Sequence, residues 1–299
     1  MPPRLTRMPR RSSGRWLALL LLSIAGCPPR PDGIYRGPTQ SLDQVVAGIN
    51  RNNRALPTLW ARHYFEANIV EKSAEGQTTT FVNGGGALMV LKPRDFYFTG
   101  GKEGTGVRLV EMGSNNSEFW LTIPQRNTIW HGRHRPATRP TAANMPLRPD
   151  LVLEVLGIGD IDANLVAEPA PVLRFNNDER VYMIVWQARG ADRWYAVKEI
   201  WYDLATLLPL KVLLFDGDGR VVLRANLSKH QSIALEGIPQ DAWPKVATDL
   251  RLFFPQTRST LWLELSSVQL QNKGRPRAGS IQYDPDPGFR IIEVEENPR

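Results

Sequence analysis

From Gly84 to His131 the chain is a run of short apolar segments, each closed by turn residues. Residues 88–91 lead into Lys92-Pro93, and residues 96–98, 107–112, 119–123 and 128–131 follow, separated by Gly, Pro and Asn. Segments of this length and punctuation predict four or five consecutive strands. A meander this apolar cannot stand alone in water, so helices or further strands must cover it. The triplet Gly84-Gly85-Gly86 predicts a bulge or a sharp bend where the meander begins. No Gly-Lys-Ser/Thr follows it and no helix opens there, which argues against a phosphate-cradling loop.

The remaining segments supply cover. Ser41 and Gln44 form a capping box for a helix over residues 41–56, with Leu42, Val45, Val46, Ile49 and Leu56 on one face. Residues 59–70 alternate as a strand, with Leu59, Ala61, His63, Phe65, Ala67 and Ile69 on one side. Beyond a polar loop at 133–145, Pro149 opens a short apolar helix over 150–156 that Gly157 stops. A helix so short is stable only when docked. Strands resume at 172–175, 180–188, 193–203, 208–215, 220–232, 245–254 and 259–270, with a hairpin turn at Asp216-Gly217-Asp218-Gly219. That turn lacks the closing Glu of a calcium loop. Residues 182–186 are apolar at every position, so the sheet is covered on both sides there. Neighbouring strands joined by short turns imply one large antiparallel sheet in a single domain. The proline-broken tail is read as extended and frayed.

The formal net charge is +7, which raises the question of a nucleic-acid partner. Five arginines and no acid fall within residues 1–26, and the rest holds 32 basic residues against 30 acidic ones. The basicity therefore belongs to the leader, and nucleic acid is excluded as a partner. The leader has an arginine-rich start, an apolar run at residues 17–24 too short to span a bilayer, and then small residues. It ends in Ile24-Ala25-Gly26-Cys27, which resembles the lipobox of bacterial lipoproteins and implies that Cys27 is acylated and becomes the new N-terminus after cleavage before it. An ordinary secretory signal or an uncleaved anchor is the alternative. Cys27 is the single cysteine, so no disulfide can form within the chain. Residues 27–40 then act as a tether. By resemblance to enterobacterial lipoproteins, Pro28 in place of Asp permits release to the outer membrane.

Catalytic and metal-binding patterns are sparse. His131 and His134 have metal-like spacing but no third ligand, His63 lies on an apolar strand face, and no Gly-x-Ser-x-Gly elbow occurs. The reading is non-enzymatic, with neither metal nor cofactor.

The order of elements resembles the LolA/LolB superfamily of lipoprotein carriers and receptors. Residues 87–98, ALMVLKPRDFYF, are similar to that family's strand ending in a basic residue and Pro; residues 112–124, MGSNNSEFWLTIP, are similar to its turn and aromatic strand; residues 281–289, IQYDPDPGF, are similar to its closing segment. The resemblance implies a mainly β fold: a single curved antiparallel sheet over 41–292 forming a half-open β-barrel, covered by an N-terminal helix and a short lid helix, with 293–299 left as a tail. It also implies an apolar cavity lined by the lid residues Leu151, Val152, Val155 and Leu156 and by Phe65, Met89, Leu91, Leu261 and Leu263. Lys92 stands where the carriers have an arginine tying strand to lid. Lysine lacks the planar fork of arginine, which tilts the expectation from shuttling toward a fixed receptor or sensor. The expected partners are a lipid or acylated protein and a membrane reached through Cys27, in the cell envelope and at the outer membrane rather than the inner. An envelope protein-interaction module without a lipid ligand, or an envelope hydrolase, is the alternative.

Overall fold

The computed structural model describes residues 35–73, 76–134, 145–270 and 281–294. The leader, Cys27, most of the tether and the polar loop at 135–144 lie outside the described residues.

The described chain opens with α1 (Leu42–Arg54), then β1 (Thr58–Ser73), β2 (Gly76–Leu91), β3 (Asp95–Gly101), β4 (Arg108–Ser114), β5 (Glu118–Ile123) and β6 (Thr128–Arg133). After α2 (Pro149–Val155) come β7 (Ala170–Asn176), β8 (Val181–Arg189), β9 (Trp194–Asp203), β10 (Pro209–Phe215) and β11 (Val221–Ser232). The last three are β12 (Lys245–Phe254), β13 (Ser259–Gln269) and β14 (Arg290–Glu293). The capping box of α1 forms: the Ser41 amide donates to the Gln44 side chain at 2.9 Å, and the Gln44 amide donates to Ser41 Oγ at 3.4 Å. No described helix is long and apolar enough to cross a membrane.

Among the described residues, 14 strands form one sheet in the order β14-β6-β5-β4-β3-β2-β1-β13-β12-β11-β10-β9-β8-β7. It consists of two meanders joined side by side where β1 pairs with β13, with Phe65 opposite Leu263 and Ala67 opposite Leu261. This order overturns the half-open barrel. The sheet is open, its end strands β14 and β7 lie at opposite edges, 13 places apart, and no pairing joins them among the described residues. The physical reason is that α1 and α2 lie against one face and complete the burial, so the sheet need not close on itself to shield its core. The purely antiparallel expectation also fails at one edge. β14 runs parallel to β6, with Ile291 opposite Ile129 and Glu293 opposite His131, so the last strand among the described residues is paired.

Strand alternation sorts the apolar residues onto two faces. One face, with Phe65, Leu88, Val90, Phe98, Leu263 and Tyr182, merges with the helices into the main core. On the other face Met89, Leu91, Trp120 and Ile129 form a smaller cluster, covered by Ile281, Tyr283 and Phe289 of the C-terminal segment. His131 holds this cover in place. It stacks on the Tyr283 ring at 4.3 Å, and its two ring nitrogens lie 2.9 Å from Glu118 and Glu293 carboxylate oxygens.

The glycine triplet makes no bulge. β2 pairs with β1 in unbroken register through Gly84, Gly85 and Gly86, and Gly86 lies opposite Gly100 of β3. Close approach of backbones is what requires glycine there: a Cβ on Gly86 would sit 1.7 Å from the Thr99 carbonyl oxygen.

Candidate functional site

Seven residues of α2 must earn their place by packing, and they do so on one side only. The helix lies against β3, β4 and β5, with Leu151, Val152 and Val155 buried together with Leu156, which follows it. Its opposite side faces β9 and β10 across a gap. There Leu151, Leu153, Val197 and Leu214 wall a cavity of about 380 Å³, which also reaches Ser114, His134 and Asp150. A second cavity of about 540 Å³ lies between the segment after α2 and the strands, against Trp186, Ile200, Tyr202 and Lys92-Pro93. The two share Arg94, Glu154, Pro169 and Lys198, so they form one cleft with a charged middle. Both volumes fall in the range of small-molecule sites.

At that middle Lys198 Nζ donates to Glu154 Oε2 at 2.9 Å and lies 4.8 Å from the centre of the Trp186 ring. The contact bridges α2 to β9 and closes the cleft across its width. The Glu154 side chain is 51% exposed yet surrounded by the cleft walls. The charge of Lys198 holds its carboxyl below the ordinary range, against the opposing effect of burial. Tyr202 is buried on the floor; burial, and secondarily the charge of Glu154, pushes its phenol well above its ordinary value.

Lys92 is placed at the end of the cleft. Its Nζ donates to the Asn53 carbonyl at 2.6 Å and to Asp160 at 2.8 Å. It therefore ties the turn after β2 to the C-terminus of α1 and to the segment that follows α2. The lysine satisfies a helix-terminal carbonyl and a carboxylate together, a role that the rotatable donors of an ammonium fill without a planar fork. Lys92→Met should lower stability by about 1–2 kcal/mol, read as a shift in the urea midpoint with an unchanged slope.

Of the residues expected to line a cavity, Leu151 lies on the cleft wall, and Val152, Val155, Leu156, Phe65, Leu261 and Leu263 are buried in the main core. Met89 and Leu91 belong to the opposite face, away from the helices. Cys27 lies outside the described residues. The histidines do not converge. His63 stacks on Phe98 at 4.1 Å with Nε2 3.2 Å from the Thr99 carbonyl, and His230 Nε2 lies 2.9 Å from the Pro209 carbonyl. Sequence reasoning missed one contact: Ser114 Oγ lies 3.2 Å from His134 Nε2 on the cleft wall. Asp150 on the same wall is engaged by Arg148 at 2.6 Å. Nothing in the spacing of residues 114 and 134 marks that pair; it follows from the register of β4, β5 and β6.

A separate depression, about 650 Å³, opens over Gly85, Gly86, Gly100 and Gly101 and is rimmed by Arg62, Tyr64, Lys102 and Arg108. It is wide and floored largely by glycine backbone, with Val107 its one aliphatic side chain, so the cleft beside α2 is the better-built site.

No family model matches the sequence, and no curated protein matches it. Solved structures do resemble it. One is a DUF1329 family protein from Desulfovibrio piger, 14% identical, with a TM-score of 0.48 over 80% of this chain and 96% of that one. A second is a domain from Vibrio parahaemolyticus named for outer membrane lipoprotein sorting, 13% identical, with a TM-score of 0.45 over 78% and 93%. A third is a LolA superfamily protein from Nitrosomonas europaea, 10% identical, with a TM-score of 0.44 over 78% and 95%.

Proposed function

We propose that this chain is a non-catalytic binding protein of the cell envelope, anchored through acylated Cys27 at the outer membrane, that receives an acyl chain of a lipid or acylated protein in the cleft beside α2. The observation that carries the reading is the cleft itself. A short helix packs on one half of the sheet and leaves an apolar gap against the other half, bridged at its middle by the partly exposed Lys198–Glu154 ion pair. An exposed pair of this kind adds little stability, so opening it costs little. An acyl chain entering the gap removes apolar surface of both partners from water, and the stabilisation grows with every buried methylene. Receiving a chain, holding it and handing it on are all served by such a site.

The test is titration of a fluorescent fatty acid into the full chain carrying Cys27→Ser, which removes the protein's own acyl groups. Saturable binding is expected. Val197→Trp, which fills the wall of the gap, should weaken it at least about tenfold, or ~1.4 kcal/mol. Binding that is indifferent to this substitution would sink the reading.

A further inference from the structure

The middle of the cleft carries charge that a purely apolar occupant would not use. Arg94, in the turn between β2 and β3, lines both cavities and makes no ion pair or hydrogen bond among the described residues. Its charge reaches Glu154 through space. Of the other acids around the cleft, Asp150 bonds Arg148 and Asp160 bonds Lys92. Asp162 and Glu168 each accept one backbone amide, keep their charge, and line the second cavity but not the first. Glu154 is the carboxylate on Lys198, with Arg94 also acting on it through space, and it sits half exposed near the end of a seven-residue helix.

We propose that the occupant is an amphiphile with an anionic head, whose carboxylate or phosphate displaces Glu154 from Lys198 and is held between Lys198 and Arg94 while its chain lies along Leu153, Val197 and Leu214. This rests on the acyl-binding reading above and adds the headgroup class. The geometry favours an anion over a cation. A cationic head would meet a carboxylate already neutralised by Lys198 and would be repelled by Arg94. An anionic head would gain two charge-assisted partners, one of them already lying over the Trp186 ring. Glu154 then acts as a resident stand-in for the ligand's own charge.

The experiment is displacement of the fluorescent fatty acid from the full chain carrying Cys27→Ser. The competitors are oleate against methyl oleate, and lysophosphatidylglycerol against lysophosphatidylcholine. In at least one pair the anionic member should bind about tenfold tighter or more. Arg94→Gln should remove most of that preference, and Glu154→Gln should raise anionic affinity several-fold by vacating Lys198. A preference confined to oleate identifies a carboxylate, and one confined to lysophosphatidylglycerol identifies a phosphate headgroup. Equal binding within both pairs overturns the headgroup inference and leaves the acyl cleft intact. Absence of binding by all four overturns both. Lys198→Gln, accompanied by a thermal melt to verify folding, is the second variant; an undiminished preference there also overturns the inference.

Discussion

Gly86→Ala is expected to lower stability sharply, whereas Gly85→Ala beside it is expected to be tolerated. The two glycines are consecutive in β2 and share composition, exposure to the same strands and the same register. They differ in what a methyl group would meet. At Gly86 it would lie 1.7 Å from the Thr99 carbonyl oxygen and 2.8 Å from the carbonyl carbon, both backbone atoms of the paired strand β3. No rotamer change relieves a clash with backbone, so β2 and β3 must separate and give up ladder hydrogen bonds in the middle of the sheet. The expected cost exceeds about 3 kcal/mol, a large share of the 5–15 kcal/mol that holds a domain folded. At Gly85 the nearest atom is the His63 carbonyl oxygen at 3.5 Å, an ordinary contact. There alanine should leave stability within about 1 kcal/mol of wild type, since it restricts the unfolded chain and strains nothing. Thermal melts of the two variants test the contrast, and equal melting temperatures would refute the close-approach explanation of the triplet.

Acid should unfold this protein partly through His63. The ring is buried against Phe65 and Phe98, and its Nδ1 has no hydrogen-bond partner. Burial lowers its pKa from 6.5 to about 4, and the nearby Thr99 and Ala87 carbonyls offset this only in part. The folded state therefore holds the neutral ring, and the unfolded chain binds the proton more readily. The stability tied to the neutral ring is fully present above pH 6.5 and is lost as pH falls through that value toward 4. A shift of this size corresponds to about 3 kcal/mol once both values have been passed. His63→Phe keeps a ring in the stack and removes the titration. It should cost about 1 kcal/mol at neutral pH through the bond to Thr99 and flatten the pH dependence between 6.5 and 4. Urea midpoints measured across that range decide the matter; parallel curves for both proteins would show that His63 does not carry the effect.

The sequence made local structure legible and left global arrangement obscure, for identifiable reasons. The capping box at Ser41, the hairpin turn at residues 216–219 and the two runs of strands follow from neighbours in the chain, and each is present. Whether a sheet closes is not a local property, and the half-barrel expectation failed there. The misplacement of Met89 and Leu91 has a related cause. Leu88, Met89, Val90 and Leu91 are all apolar, so alternation establishes two faces without saying which one the helices cover. The pairing of β14 with β6 was hidden because four residues, Arg290–Glu293, carry too little pattern to stand out from an extended tail. The cleft was hidden for the same reason as the barrel's absence. Leu153, Val197 and Leu214 look like core residues in sequence, and only the one-sided docking of α2 makes them a wall. Lys92 was visible as a position, but its partners Asn53 and Asp160 were not.

The β1–β13 junction has a kinetic consequence. Every other antiparallel pair in the sheet joins strands consecutive in the chain, so each can form by local hairpin closure. Pairing Phe65 with Leu263 instead closes a loop of roughly 200 residues, at an entropic cost of about 4–5 kcal/mol before any contact repays it. The search cost of the fold is thus concentrated at this seam and at the edge where β14 pairs with β6. Two locally assembled half-sheets can form early, and their union across β1 and β13 is the slow step that turns them into one molecule.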